Sequence, residues 1–382
     1  MIPLSRSLRS PTGVDAQTPQ SAVLHDVAEW LLDGPAQLRS GPHSGAVAGT
    51  VSTSGTASYV YPEIAGYFLQ WLTWRAQRFG LSSALAERAA AVQRWFAVWL
   101  AAGDPPATRV HLDGSIGDWR NRAVFCFDVA MVLRGLGSAA AARLIVPDAA
   151  VTAGVTRQLE RFIAADGQFD ACAMNAEGDA FPARWSTRRG AFLAKAAAGV
   201  LTAATSIPDL SVPILRAADA TFDASVAALE TDPHRDAHPL LYAFEGVLAL
   251  PQRPGFARAL PIVALQFDAL LDSADADGLL PETLDPALRP GPERFDVLAQ
   301  ALRIGALLRK HRPRHPPDAQ VLLRLRDALV REVEATGALR FASVADASQR
   351  NVWATMFADQ ALAFTEPGGE SDEMRLSDPL LV

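Results

Sequence analysis

Aromatic rings, carboxylates and arginines recur together at six points of the chain. The first holds Tyr59, Tyr61 and Glu63. The second holds Asp118, Trp119, Arg120 and Arg122, and the third Arg184, Trp185, Thr187, Arg188 and Arg189. His234, Arg235 and His238 make the fourth, Glu282, Arg294 and Asp296 the fifth, and Arg350, Asn351 and Trp353 the sixth. Flat rings suit the apolar faces of pyranoses and forked polar groups suit their hydroxyls or carboxylates, so this mixture points to a saccharide. Acid–base cleavage of a glycosidic bond takes two carboxyls on opposite sides of the sugar. Glu63, Asp118, Glu245, Glu282 and Asp296 are the available carboxyls, and spacing along the chain does not say which two face each other. His238 adds a candidate general base near neutral pH. The catalytic candidates are therefore Glu63, Asp118, His238, Glu245 and Asp296. Each has a structural alternative: Glu63 follows Pro62 and would be favourable charge in a first helical turn, and His238 precedes Pro239 and would cap a helix.

Binding candidates follow from the same clusters and from polar stripes on otherwise apolar segments. Glu63, Tyr67 and Gln70 fall at i, i+4 and i+7, which places them on one helical face; His238, Tyr242 and Glu245 repeat the spacing, as do Asp296, Gln300 and Arg303. Asn351, Thr355 and Asp359 fall at i, i+4 and i+8. Such stripes need partners, because unpaired buried charge is costly. A water-filled lumen would supply them, and so would interhelical hydrogen bonds bracing a ring. In a chain of net charge −7, the run from Arg184 to Arg189 is the most unusual local cluster. Arg184 and Arg188 share a helical face and suit a carboxylate or phosphate, with Arg120, Arg294 and Arg350 standing near other helix starts. The expected ligand is therefore an anionic saccharide or other small molecule. Its expected contacts are Tyr61, Tyr67, Trp119, Arg120, Arg184, Trp185, Arg188, Tyr242, Glu282, Arg294, Arg350, Asn351 and Trp353. Ion pairing with nearby Asp and Glu is the plainer reading of the arginines.

The elements that must carry these residues are helical. Alanine and leucine dominate, and alternating β-branched runs are scarce. Periodicity predicts helices near 22–32, 62–79, 83–102, 121–136, 148–165, 185–205, 210–230, 239–250, 258–273, 292–310, 317–336 and 350–364. They alternate in character. One set has charged faces (Glu87, Arg88 and Arg94; Arg157, Glu160 and Arg161; Arg324, Asp327 and Arg331), as solvent-facing helices do. The other set is apolar nearly all round, as helices packed on most faces are. Alternation of outer and inner helices predicts an all-α (α/α)6 toroid of about twelve helices, with an α-solenoid as the competing architecture. Residues 1–20 read as a flexible arm, 21–365 as the toroid and 366–382 as an acidic flexible tail.

Specific residues carry a resemblance. The succession Tyr61-Pro62-Glu63-Ile64-Ala65-Gly66-Tyr67, then Val124-Phe125-Cys126-Phe127-Asp128 running into Met131-Val132-Leu133-Arg134-Gly135-Leu136, then Ser186-Thr187-Arg188, then His238-Pro239 leading to Tyr242-Ala243-Phe244-Glu245-Gly246, resembles six-hairpin glycosidase-like toroid proteins encoded with bacterial polysaccharide-biosynthesis enzymes. Order and spacing match over residues 55–310. The resemblance implies an (α/α)6 toroid with a central carbohydrate-type cleft. It does not assign a reaction, since the wider group holds hydrolases, lyases, epimerases and members of unknown activity.

Composition narrows the alternatives. Apolar residues form 49% of the chain, which is ample for a core, while the net negative charge argues against nucleic acid as a partner. Two cysteines, Cys126 and Cys172, exclude a disulfide framework and a multi-cysteine zinc cage. No stretch reaches the roughly 18 apolar residues of a membrane span. The first residues hold no apolar signal core, so a cytoplasmic location without membrane insertion is expected. GxGxxG, P-loop, HExxH, CxxC and GxSxG patterns are absent, and Asp275-Ala276-Asp277-Gly278 fails the EF-hand spacing and reads as a turn. The expectation is a carbohydrate-active enzyme using metal-independent and cofactor-independent acid–base catalysis, with hydrolysis ahead of elimination or epimerisation. The alternatives are a non-catalytic glycan-binding or assembly protein of a polysaccharide or secondary-metabolite pathway, or a pathway-specific cyclase or isomerase on the same toroid.

Overall fold

A computed structural model describes residues 19–115, 119–174, 181–231, 235–285, 292–344 and 346–365. Among these residues the helices are α1 (Pro19–Leu32), α2 (Pro62–Phe79), α3 (Ser83–Ala101), α4 (Cys126–Ala141), α5 (Ala149–Glu160) and α6 (Leu193–Ala203), followed by α7 (Val212–Thr231), α8 (Ala237–Leu248), α9 (Phe256–Asp272), α10 (Phe295–His311), α11 (Ala319–Thr336) and α12 (Val352–Phe364). The even-numbered helices from α2 to α12 pack in chain order, and α12 returns to pack on α2. The ring is closed, and the fold is an (α/α)6 toroid.

Burial follows the sequence pattern. Every residue of α8 is buried, as is α10 from Phe295 to Leu308. The outer helices bury one stripe each; in α3 it is Leu85, Ala89, Val92, Trp95, Phe96 and Trp99. Helix ends are set by local chemistry. Asp318 accepts from the backbone N–H groups of Gln320 and Val321 to start α11, and Gly337 ends it in the left-handed conformation at φ 68°. Asp148 starts α5 in the same way as Asp318 starts α11.

One pair of glycines matters for the site. A Cβ on Gly66 of α2 would lie 2.4 Å from the Met131 carbonyl oxygen of α4, and one on Gly135 of α4 would lie 2.5 Å from the Gly66 oxygen. With no side chain at either position, the two backbones touch. Glu63 sits one turn before Gly66, and Asp128 two turns before Gly135, so this contact draws their carboxyls together.

Short strands, weak in the sequence, form the rim. They are β1 (Ala48–Ser52), β2 (Ala57–Val60), β3 (Val110–His111), β4 (Ala123–Phe125), β5 (Cys172–Met174) and β6 (Gln349–Asn351). One antiparallel sheet runs β3-β2-β1-β6, and β4 pairs with β5. Strand β6 runs directly into α12, β4 into α4, and β2 reaches α2 through Tyr61. Pairing of Thr50 with Asn351 ties the last hairpin to the first.

Two inner helices begin later than the periodicity indicates: α4 at Cys126 instead of 121, and α6 at Leu193 instead of 185. Residues Trp119–Arg122 and Trp185–Thr187 form separate 3₁₀ turns ahead of them. Most of the predicted arm and all of the acidic tail lie outside the described residues. No described helix is long and apolar enough to cross a membrane. Cys126 and Cys172 are free thiols, and Asp275 closes its turn by accepting from the Asp277 and Leu279 N–H groups.

Candidate functional site

The starts of the inner helices open on one mouth, where a cavity of about 570 Å³ is lined from α2, α4, α8, α12 and the rim. Of the residues singled out in the sequence, Tyr61, Glu63, Arg120, Trp185, His238, Tyr242, Arg294, Asn351 and Trp353 line it. Tyr59, Phe125, Phe127 and Phe341 complete an aromatic wall.

A carboxyl pair occupies one side. Asp128 of α4 is buried, Glu63 of α2 is half-buried, and their carboxyls lie within hydrogen-bonding reach of each other. Tyr61 Oη donates to Asp128 Oδ2 at 3.0 Å. Burial raises both carboxyls, and the negative charge of Glu63 raises Asp128 further, well above the ordinary range. Tyr67 and the Lys195 ammonium moderate the rise at Glu63. Burial and the mutual repulsion of the two carboxyls therefore favour a proton shared by the pair, with the stronger rise at Asp128.

The opposite side carries an imidazole. His238 of α8 is buried, with Nδ1 2.7 Å from Gln300 Oε1 and 3.2 Å from Asp296 Oδ2. Burial, helped by the Arg294 charge, lowers its pKa to about 4, so the ring is neutral at pH 7. Arg294 grips Asp296 through Nε at 3.0 Å and a terminal nitrogen at 2.5 Å. Burial alone would raise Asp296, but Arg294 and His238 together hold it below the usual carboxyl range. Since the ring runs α2, α4, α6, α8, α10, α12, helices α8 and α10 stand across it from α2 and α4. The carboxyl pair and the His238–Asp296 couple thus face each other over the cavity.

Beneath the cavity lies a fully buried ionic floor. Lys195 Nζ of α6 is 2.6 Å from Glu245 Oε2, and Arg303 of α10 donates to Glu245 Oε1 and, at 3.0 Å, to Gln360 Oε1. Tyr67 and Tyr242 stand between this floor and the carboxyl pair, with Lys195 Nζ 4.6 and 4.4 Å from their ring centroids. A further link, Trp71 Nε1 to Asp359 Oδ2 at 2.8 Å, joins α2 to α12. The polar stripes consequently divide. Glu63, His238, Tyr242 and Asn351 reach the cavity, while Glu245, Arg303 and Asp359 brace the ring.

Several sequence expectations need correction. Arg184 and Arg188 do not share a helical face: they flank the Trp185–Thr187 turn in extended conformations, both exposed and outside the cavity lining. Arg350 also lies off the lining, donating to the carbonyls of Ala347 and Gln349. Glu282 stands behind the wall, 3.7 Å from Arg294. Trp119 packs against Phe125 and Phe181. Tyr67, Glu245 and Asp296 are buried below or behind the lining, where solvent does not reach them. Asp118 and His234 lie outside the described residues.

Sequence reasoning missed several lining residues, Asp128 and Arg109 among them. Asp128 was visible as a lone carboxylate in an apolar run. Arg109, which arrives ahead of β3 and lies 4.6 Å over the Tyr59 ring, had no such signal. Tyr59 itself lies flat against β1, because Gly49 leaves room for its ring: a Cβ there would fall 2.1 Å from it.

No family model matches the chain, and no curated protein matches it in sequence. Solved structures share the fold. A D-mannose isomerase superposes with a TM-score of 0.66 at 12% identity, over 94% of this chain and 100% of that one. A cellobiose 2-epimerase from Bacillus thermoamylovorans gives 0.61 at 9% identity, over 90% and 99%. A glycosidase in complex with glucose gives 0.59 at 15%, over 95% and 100%. These solved structures share this chain's architecture along nearly its whole length.

Proposed function

We propose that the chain is a carbohydrate-active enzyme that transfers protons on a saccharide, as an isomerase or epimerase does. The observation that carries this reading is the placing of the His238 imidazole across the cavity from the adjacent Glu63 and Asp128 carboxyls, whose burial favours a retained proton. A glycosidase needs its two carboxyls separated by the sugar, at roughly 5–10 Å. Glu63 and Asp128 instead lie against each other on one side. In the reaction proposed, His238 Nε2 takes the proton from the carbon next to the sugar carbonyl. The C–H electron pair moves into the new C=C bond, and Asp128 gives its proton to the carbonyl oxygen. Return of the proton from His238 to the neighbouring carbon, while the hydroxyl on the first carbon gives its proton back to Asp128 and becomes the new carbonyl, completes isomerisation. Its return to the opposite face of the same carbon after the enediol turns, while the original oxygen gives its proton back to Asp128, completes epimerisation. The isomerase and epimerase among the toroids of like fold support the reading.

The ligand is an acidic saccharide on this reading, with Arg109 and Arg120 as its anion contacts. Both line the cavity beside Tyr59 and put positive charge on its wall. Hydrolysis is the second reading, supported by Asp346, a carboxylate of the rim that also lines the cavity. The test is incubation with aldoses, uronic acids and sugar phosphates in D2O, followed by proton NMR. Deuterium entering at the carbon beside the carbonyl supports proton transfer. New reducing ends from oligosaccharides without carbon deuteration would replace it with hydrolysis. Calorimetric binding with neither reaction would make the chain a glycan-binding protein.

A further inference from the structure

The chain has four tyrosines and two lysines. All four tyrosines belong to the mouth: Tyr59, Tyr61 and Tyr242 line the cavity and Tyr67 lies just beneath it. One of the two lysines, Lys195, is fully buried under them. Its Nζ stands over the rings of Tyr67, Tyr242 and Phe357, at 4.6, 4.4 and 5.5 Å from their centroids. A desolvated cation over an aromatic face is held by the ring quadrupole, and it fixes the ring in turn. Glu245 takes the ammonium's free side at 2.6 Å.

Charged and titratable groups face Lys195 from nearly every helix of the ring. Helix α2 gives Tyr67 and, higher up, Glu63, whose ionised form the ammonium favours. Helix α4 gives Arg134, α8 gives Tyr242 and Glu245, and α10 gives Arg303, while α12 contributes the Phe357 ring. Helix α7 backs α6 on its other side. Three cations thus share one carboxylate, Glu245. Of the three, only a lysine readily gives up its proton, because guanidinium stays charged.

We propose that Lys195 is the positioning residue of this site: its charged form holds the Tyr67 and Tyr242 rings and keeps Glu63 the ionised member of the carboxyl pair, and loss of that charge releases both. The consequence for turnover rests on the function proposed above; the arrangement itself does not. Burial and the two guanidiniums oppose the charge, Glu245 supports it, and the balance sets the pKa at about 7, so the device operates near neutral pH.

The residue counts give a substrate-free test. Protein labelled with 13C at lysine Cε and tyrosine Cζ should show two lysine and four tyrosine signals. One lysine signal, that of Lys195, should titrate near neutral pH. The Tyr67 and Tyr242 signals should move in the same transition. In Lys195→Met that transition should vanish from the tyrosines, and in Lys195→Arg they should stay at their low-pH positions throughout. No lysine transition near neutral pH, or tyrosines that follow no lysine transition, would overturn the proposal. If Lys195→Met does not fold, the wild-type titration decides alone. A coupled titration in a protein that turns over no saccharide would leave this inference standing and remove the function proposed above.

Discussion

His238 presents Nδ1 to the Oε1 of Gln300 at 2.7 Å, on the side away from the cavity. Asp296 Oδ2 stands 3.2 Å from the same nitrogen. Two acceptors on one nitrogen put the ring proton there, which leaves Nε2 with a bare lone pair. Asp296 is held in place by Arg294 and cannot turn to another task.

Asp296→Asn should therefore act through His238. The amide would present either a donor to Nδ1 or a weaker acceptor, and the correct tautomer would lose its hold. Turnover should fall by about 10²–10⁴-fold, the usual weight of a positioned general base. The same couple sets a pH signature in stability. The folded pKa of His238, about 4, lies below the unfolded value of about 6.5. Between those values the unfolded chain binds the extra proton, so stability should drop as pH falls from 6.5 towards 4. Thermal melts from pH 4 to 8 should show a shallower acid loss in His238→Gln. An unchanged pH dependence would mean that His238 ionises as freely in the fold as in the unfolded chain.

The carboxyl pair predicts an opposite sign. Asp128 carries a raised folded pKa, so its burial costs stability once pH climbs above the ordinary carboxyl range, and the cost grows until the folded group also ionises. Asp128→Asn, which keeps the shape without the charge, should hold or raise the Tm at pH 8 while turnover is lost. Glu63→Gln should likewise abolish turnover with little change in Tm. A large Tm loss in both variants, with activity retained per folded molecule, would make the pair a structural contact only.

How far the sequence disclosed this site depends on where local chemistry decides. The starts of α2, α10 and α12 were legible because Pro62, Asp296 and Asn351 mark first turns in runs that are buried all round. The start of α6 was not. The run from Arg184 to Arg189 reads as helical, yet Thr187 Oγ1 bonds the carbonyls of Pro182 and Arg184 and closes a single turn instead. The rim sheet escaped notice because its strands span two to five residues, too short for alternation to register. Arg109 reaches the cavity only through the pairing of β3 with β2, a long-range contact that no local pattern encodes.

The approach of α2 and α4 gives a test that is geometric instead of chemical. Gly66→Ala would place a methyl 2.4 Å from a backbone oxygen of α4. Neither partner can swing away as a side chain could, so the helices must separate. The expected cost is roughly 3 kcal/mol or more, since overpacking here acts on rigid backbone. The same separation should part Glu63 from Asp128 and lower turnover in whatever protein still folds. Gly66→Ala with wild-type Tm and activity would show that the two helices need no such contact.

The last prediction concerns charge at the mouth. A chain of net charge −7 repels an acidic ligand unless positive charge is concentrated where the ligand sits. The sequence pointed to Arg120, Arg184, Arg188, Arg294 and Arg350, of which Arg184, Arg188 and Arg350 do not line the cavity. Arg109 and Arg120 do, on the wall that also carries Tyr59. Arg109 lies over the Tyr59 and Tyr61 rings at 4.6 and 5.8 Å, which fixes its guanidinium plane before any ligand arrives. Arg109→Ala should weaken a uronate by about 1.5–3 kcal/mol, roughly ten- to a hundredfold, the scale of a charge-assisted hydrogen bond. A neutral sugar of the same ring should lose far less. Arg188→Ala, at an exposed residue off the lining, should leave both affinities unchanged. Calorimetry on the three proteins with both ligands separates the outcomes. Equal losses for uronate and neutral sugar in Arg109→Ala would assign Arg109 to bracing Tyr59. A selective loss in Arg188→Ala would move the anion contact out to the loop before α6.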